Sequence, residues 1–409
     1  VTELTKPITI EMWHYMNGGQ AEVLNEIIED FNATNDKGIT VNAISQGSIV
    51  DLNKKVISAA QSNSLPAIIN VYPDVATGLI EDKKLVNLSS FINDKNVGMA
   101  DEMDDFVDTF IEETSQWNNG EVYGLPMTKS TEVLYVNKNM LESLGYTLED
   151  LEDLTFEKLA EISNKAVTEL GVAGFGFDSS SNAFISSLKM DGLDFVDSKG
   201  TINVDNEWVR EYMTFFQKQA ESGAFRIAGE DKFLSNPFVN QKMLCYQGSS
   251  AGYAYLNNDG AFEIAVVEVP VFEGKDKAVM QQGASLFVTN NVSAEAQYAA
   301  YEFVKFATNA ENTAKFATAT GYLPVRKSAI ETEIVKNILN DETSLYSQVY
   351  NVAQKSLPYA YYTPAINNAQ SARTVAQEKY EAFMSGSITD VEVLVDDIVS
   401  QVQTSIGRN

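Results

Sequence analysis

Residues 248–252 read GSSAG and satisfy G-x-S-x-G, the tight strand-to-helix turn that presents a nucleophilic serine in α/β-hydrolases. An apolar run, residues 243–246, precedes the turn as a strand would. Ester or amide chemistry there needs a base to take the proton of Ser250, and in that architecture the histidine follows the serine. The one histidine, His14, lies far upstream instead. Without a base, the same residues have a simpler use. Ser249 and Ser250 supply hydroxyls, and the start of a helix supplies backbone N–H groups, a combination that holds an anion or a sugar hydroxyl. A single histidine also disfavours a histidine-based metal site, and a single cysteine excludes an intramolecular disulfide or a thiolate cluster. Cys245 falls inside the apolar run and reads as a small buried hydrophobe. No cofactor and no metal are expected.

Four further places stand out. In residues 120–138, GEVYGLPMTKSTEVLYVNK, a turn and a gly-leu-pro approach lead through Thr128, Lys129, Ser130 and Thr131 into an alternating strand. Val133, Tyr135 and Asn137 share one face of that strand, and Leu134, Val136 and Lys138 share the other. Taken locally, this is a loop entering a strand. Gly283, in QGASLFV, either lets a ligand approach the backbone or relieves a bend. Tyr322 follows the helix exit Thr320-Gly321 and serves packing, a hinge or a ligand. Arg373 stands in the charge-poor stretch AQSARTV. An isolated arginine of this kind is usually a surface residue. Pointed inward, its fork of donors fits a phosphate.

The elements that must position these residues follow from periodicity. Residues 8–12 alternate as a strand, and Val23, Leu24, Ile27, Ile28 and Phe31 recur with helical spacing. A strand over 39–44, a second helix and a strand over 67–72 complete a β-α-β-α-β order, which implies a parallel sheet. In such sheets ligands sit beyond the carboxyl ends of the strands, so the loops beginning at Trp13, Gln46 and Tyr72 are candidate walls. Farther on, Thr147 and Asp150 form a capping-box pattern, and residues 156–170 read as a helix. Tyr212, Phe215 and Phe216 read as core.

At 409 residues the chain exceeds one core, which implies two lobes. No run approaches the ~18 apolar residues of a membrane span, and a chain starting at Val1 reads as processed or trimmed. A formal net charge of −28 argues against nucleic acid and makes recognition of an anion a short-range matter. Screening over ~8 Å confines the long-range repulsion.

Trp13-His14-Tyr15-Met16, VLYVNK, Gly283-Ala284-Ser285-Leu286 and Thr320-Gly321-Tyr322-Leu323-Pro324 occur in an order that resembles the ABC-importer extracellular solute-binding proteins. That family includes maltose-binding proteins, and the motifs are most similar to its glycerol-3-phosphate- and glycerophosphodiester-binding members. The resemblance spans nearly the whole chain. It implies an α/β fold of the two-lobe periplasmic-binding-protein type (type II), with the ligand cleft between lobes joined by hinge crossovers. Residues 1–127 and 281–323 would form lobe 1, and 128–280 and 324–409 lobe 2. It carries ligand contacts onto Trp13, His14, Ser130, Ser249, Ser250, Gly283, Tyr322 and the phosphate-binding Arg373. Asp74, in Pro73-Asp74, replaces a glutamate of the subfamily, Gly47-Ser48-Ile49 replaces an aromatic residue, and residues 178–184, DSSSNAF, replace a tryptophan-bearing loop. The alcohol end of the pocket is therefore remodelled. The implied protein is a non-enzymatic monomer on the outer face of the membrane, lipid-anchored or periplasmic. It would carry a phosphorylated polyol or sugar to ABC importer membrane subunits. The rivals are an oligosaccharide binder using Asp74, Asp178 and Asn182, and a hydrolase using Ser250.

Overall fold

The structure, a computed structural model, describes residues 1–407. Its strands, in chain order, are β1 (Ile8–His14), β2 (Ile39–Ser45), β3 (Ile68–Val71), β4 (Gly124–Ser130), β5 (Glu132–Asn137) and β6 (Ala173–Phe177). They continue with β7 (Phe225–Ile227), β8 (Met243–Ser249), β9 (Ile264–Val267), β10 (Val279–Met280), β11 (Gln282–Val288) and β12 (Ala360–Tyr361). No helix among the described residues is long and apolar enough to cross a membrane.

The chain divides into two compact units. Val1–Ser130 and Gln282–Asn340 form the first, and Thr131–Gln281 with the segment from Asp341 onward forms the second. The passages at 130/131 and 281/282 lie close to the expected 127/128 and 280/281. The third falls at 340/341 rather than 323/324. Arg326 explains the difference, because it is buried in the first unit with its guanidinium 4.2 Å from the centre of the Phe106 ring. Its Nε donates to the Thr308 carbonyl at 2.9 Å, while Glu102 and Asp105 each stand 3.4 Å from Nη1. The segment that follows is thereby held to the first unit, and helix Glu333–Leu339 packs on helix Ala310–Thr320.

The first unit's sheet runs β2-β1-β3-β11-β4. β1 is parallel to β2 and β3, while β11 is antiparallel to both β3 and β4. The carboxyl ends of β1 to β4 and the amino end of β11 therefore share one edge. Helix Gly18–Thr34 buries Val23, Leu24, Ile27, Ile28 and Phe31, the stripe expected from the spacing.

The second unit's sheet runs β7-β6-β8-β5-β9, with β6 parallel to β7 and β8, and β5 antiparallel to β8 and β9. Here the carboxyl ends of β6, β7 and β8 meet the amino end of β5 at one edge. Tyr212 and Phe216 are buried as expected, and the Phe156 ring packs 5.5 Å from Phe216 and 4.4 Å from Phe272. Cys245 is buried too. The Thr147–Asp150 capping box forms, and the helix Phe156–Leu170 has the expected limits. Lys138 opens a helix instead of ending the strand, because the Asn137 side chain accepts from the Met140 N–H and caps it.

Candidate functional site

At the first unit's edge the chain leaves β1 through Tyr15. Its hydroxyl shares a hydrogen bond with Thr128 Oγ1 at 2.8 Å, and its ring lies 6.4 Å from that of Tyr72. Tyr322 is hydrogen-bonded to Tyr15, and its ring stacks on Phe316 at 5.8 Å. Burial, followed by the neighbouring Tyr322 and Tyr72, pushes the Tyr15 phenol well above its usual range, so it stays protonated. His14 is buried, and its Nδ1 accepts the Met16 N–H at 3.0 Å, which assigns the ring proton to Nε2. Burial lowers its pKa to about 4, so the ring is neutral. Tyr15 and His14 thus bring a phenol and an imidazole N–H, rather than charge, to this edge.

The other expected residues of this unit, Trp13, Gly283, Ser130 and Asp74, lie at the same edge. The Trp13 side chain is buried among Leu52, Val56 and Ala59, with the Lys55 ammonium 5.3 Å from its ring. Gly283 has φ +123°, and a Cβ there would stand 1.7 Å from the Thr128 carbonyl oxygen. Close pairing of β11 with β4 demands the glycine. Ser130 is buried at the end of β4 opposite Gln282. Asp74 is half-buried in the first turn of helix Pro73–Glu81, where a carboxylate complements the helix dipole. Next to Ser130, the fully buried Lys129 pairs with the Glu113 carboxylate.

At the second unit's edge the two serines act on their own backbone. Ser249 Oγ accepts from the Ala251 N–H at 3.1 Å. Ser250 is fully buried; its Oγ accepts from the Thr131 N–H at 3.1 Å and its own N–H donates to the Thr131 carbonyl at 2.8 Å. A serine locked this way binds β8 to the start of β5, and no base addresses it. The hydrolase geometry is absent among the described residues.

Beside these serines lies a group the sequence reading largely missed. Glu132, opposite Ser249 in the β5–β8 register, is 2% exposed. Its Oε1 accepts from Gln247 Nε2 at 3.0 Å and its Oε2 from Asn182 Nδ2 at 3.3 Å. Burial raises its pKa to about 7 against the pull of those amides, with the charge of Asp178 adding to the rise. Asp178, just past β6, accepts the Leu234 N–H at 2.6 Å, and burial raises its pKa to about 6. Asn182 and Gln247 are buried, and the oxygens of both amides lack a hydrogen-bond partner among the described residues. Asp178 and Asn182 were expected for a sugar binder; Glu132 and Gln247 were not. Their signal was parity, since Glu132 shares a face with Leu134 and Val136, which point into the core.

Arg373 lies in the first turns of helix Ala369–Met384, half-exposed, with Nη2 donating to Gln370 Oε1 at 2.9 Å. It lines a crevice of ≈ 20 Å³ with Lys189, Asp194 and Tyr361. It is thus not the fully buried cation that an inward guanidinium would be. No three acidic, histidine or cysteine side chains among the described residues are grouped to hold a metal.

A family model described as bacterial extracellular solute-binding protein matches residues 26–341. The sn-glycerol-3-phosphate-binding periplasmic protein UgpB of Rhizobium meliloti (strain 1021) is 23% identical over 414 residues, covering 97% of this chain and 94% of its own. The protein of the same name from Escherichia coli (strain K12) is 23% identical over 401 residues, with 94% and 90% covered. The solved cyclic alpha-maltosyl-1,6-maltose binding protein from Arthrobacter globiformis has a TM-score of 0.81 at 18% identity, covering 98% of this chain and 99% of its own. UgpB from Mycobacterium tuberculosis in complex with glycerophosphocholine has a TM-score of 0.80 at 20% identity, with the same coverage. At these identities the structural likeness shows the fold, that of the two-lobe binding proteins.

Proposed function

This chain belongs to the bacterial extracellular solute-binding proteins, and we propose that it captures glycerol-3-phosphate or a glycerophosphodiester by hinge closure. It is the solute-binding protein of an ABC importer and not an enzyme. The observation that carries the ligand reading is similarity over nearly the full length of relatives named for sn-glycerol-3-phosphate. In this reading Arg373 takes the phosphate through its fork of donors. Ser130, Ser249, Tyr322 and the Nε2–H of His14 add neutral hydrogen bonds, and Asp74 receives a glycerol hydroxyl. Solute bound better by the closed arrangement shifts the hinge equilibrium toward it, and that form is what the membrane subunits of the importer receive. A monomer delivered at the outer face of the membrane, by a lipid anchor or in the periplasm, completes the reading.

A second reading, an oligosaccharide, is favoured by the buried carboxylate Glu132, the half-buried Asp178 and the phenol group around Tyr15. Thermal shift against a panel of phosphate esters and maltodextrins separates the two, because a ligand at 100 times its Kd adds about 2.7 kcal/mol. The first reading expects stabilisation by glycerol-3-phosphate or glycerophosphocholine, lost in Arg373→Ala. Stabilisation by maltodextrins alone, or phosphate-ester binding unchanged in Arg373→Ala, overturns it.

A further inference from the structure

We propose that Glu132, flanked by Asn182 and Gln247, is the specificity-determining residue that accepts the hydroxyl protons of the solute's polyol portion. The inference rests on the solute-binding reading and assigns one part of the solute to one part of the protein. Glu132 opens β5 at the edge where β6 and β8 end, the place where α/β sheets present ligands. Its two oxygens each accept one amide hydrogen, from Gln247 at 3.0 Å and Asn182 at 3.3 Å. The other atom of each amide, Gln247 Oε1 and Asn182 Oδ1, is buried without a partner among the described residues. Asp178 stands at the same edge, with its Oδ2 so near Gly248 that a Cβ there would lie 2.8 Å from it. The group as a whole has more acceptors than it has hydrogens to fill them.

Buried acceptors left unfilled are costly, so a solute that fills them gains affinity from the mismatch. What fills them is a donor. A phosphate ester at neutral pH brings oxygens and negative charge, which two carboxylates and two amide oxygens repel. A glycerol or sugar hydroxyl brings a proton and accepts from the remaining amide hydrogens in return. The free acceptors beside Glu132 are neutral amide oxygens, and each of its own oxygens, holding one amide hydrogen, keeps a second lone pair for a hydroxyl proton, so hydroxyls match better than a full positive charge. Discrimination of this kind is strong, because an analogue lacking the hydroxyl leaves the buried acceptors unpaired.

The experiment is isothermal titration of the full chain, wild type, Glu132→Gln and Asn182→Ala, with glycerol-3-phosphate, glycerophosphocholine, maltose and inorganic phosphate. The melting temperature of each variant reports folding independently. Expected is at least a tenfold weaker affinity of Glu132→Gln for whichever hydroxyl-bearing probe the wild type binds. A smaller loss is expected in Asn182→Ala, and unchanged affinity for inorganic phosphate if that binds. Equal affinity of wild type and Glu132→Gln for the hydroxyl-bearing probe overturns the assignment of Glu132. So does a loss of the same size for inorganic phosphate. If the folded wild type binds no probe, the proposed solute classes are wrong, and the assignment falls with them.

Discussion

Lys129 and Glu132 are three residues apart, both fully or almost fully buried, and they belong to different units. Lys129 has what a buried charge requires. Its ammonium pairs with Glu113, lies 3.4 Å from the Gly283 carbonyl and stands 5.8 Å from the centre of the Phe110 ring. Glu132 meets no cation among its hydrogen bonds, only two amides whose own oxygens are unpartnered. A paired charge of the first kind serves the fold. A buried carboxylate held only by neutral donors, with a second carboxylate contributing to its raised pKa, weakens the fold when ionised, which agrees with the binding role proposed for it.

The largest test of this contrast removes the partner from the paired side. Glu113→Ala leaves the Lys129 ammonium buried without its carboxylate, and urea unfolding should show a loss of about 3–5 kcal/mol. A loss below ~1 kcal/mol would put Lys129 in the same class as Glu132.

The opposite sign is expected on the other side. Folding raises the Glu132 carboxyl from 4.5 to about 7, so the folded state holds that proton more tightly. The group's contribution is therefore fully favourable below pH 4.5, declines as pH rises from 4.5 to 7, and is gone above that. Glutamine does not titrate. Relative to wild type, Glu132→Gln should gain up to about 3 kcal/mol of stability between pH 4.5 and pH 8, read from urea melts at both values. His14 titrates in both proteins and cancels in that difference.

Smaller effects sharpen the same comparison. Gly283→Ala presses a Cβ into the Thr128 carbonyl beside Lys129 and should cost at least about 2 kcal/mol by the same melts. Wild-type stability in that variant would reopen a ligand role for the glycine. Ser250→Ala removes the acceptor of the Thr131 N–H just before Glu132 and should cost about 1 kcal/mol, with no change in ester hydrolysis assayed in parallel.

Where periodicity speaks for itself, the sequence was readable. The buried stripe of helix Gly18–Thr34, the limits of helix Phe156–Leu170 and the Thr147–Asp150 capping box all follow from spacing and local hydrogen-bond chemistry. The third passage between units was not readable, because it depends on Arg326 finding Phe106 and Thr308 from distant parts of the chain. At the site the limit is direction. Alternation tells which residues share a face inside a strand but ends with the strand, so nothing local separates Tyr15, hydrogen-bonded to Thr128, from Trp13, whose ring lies under the Lys55 ammonium. Glu132 was legible in principle through its parity with Leu134 and Val136, but a strand pattern built on apolar residues begins one position later. The serines illustrate the converse, since Ser250 has the right neighbours for a nucleophile and a hydroxyl already engaged by Thr131.

The titration of the Glu132 carboxyl, followed by carbon NMR in protein labelled at glutamate, tests the contrast most directly. A midpoint near 7 without solute, moving lower when a bound polyol supplies hydroxyl protons to the anion, is the predicted result. A midpoint at the ordinary 4.5, unmoved by a solute that binds, would show that Glu132 is neither desolvated nor a reader of hydroxyls.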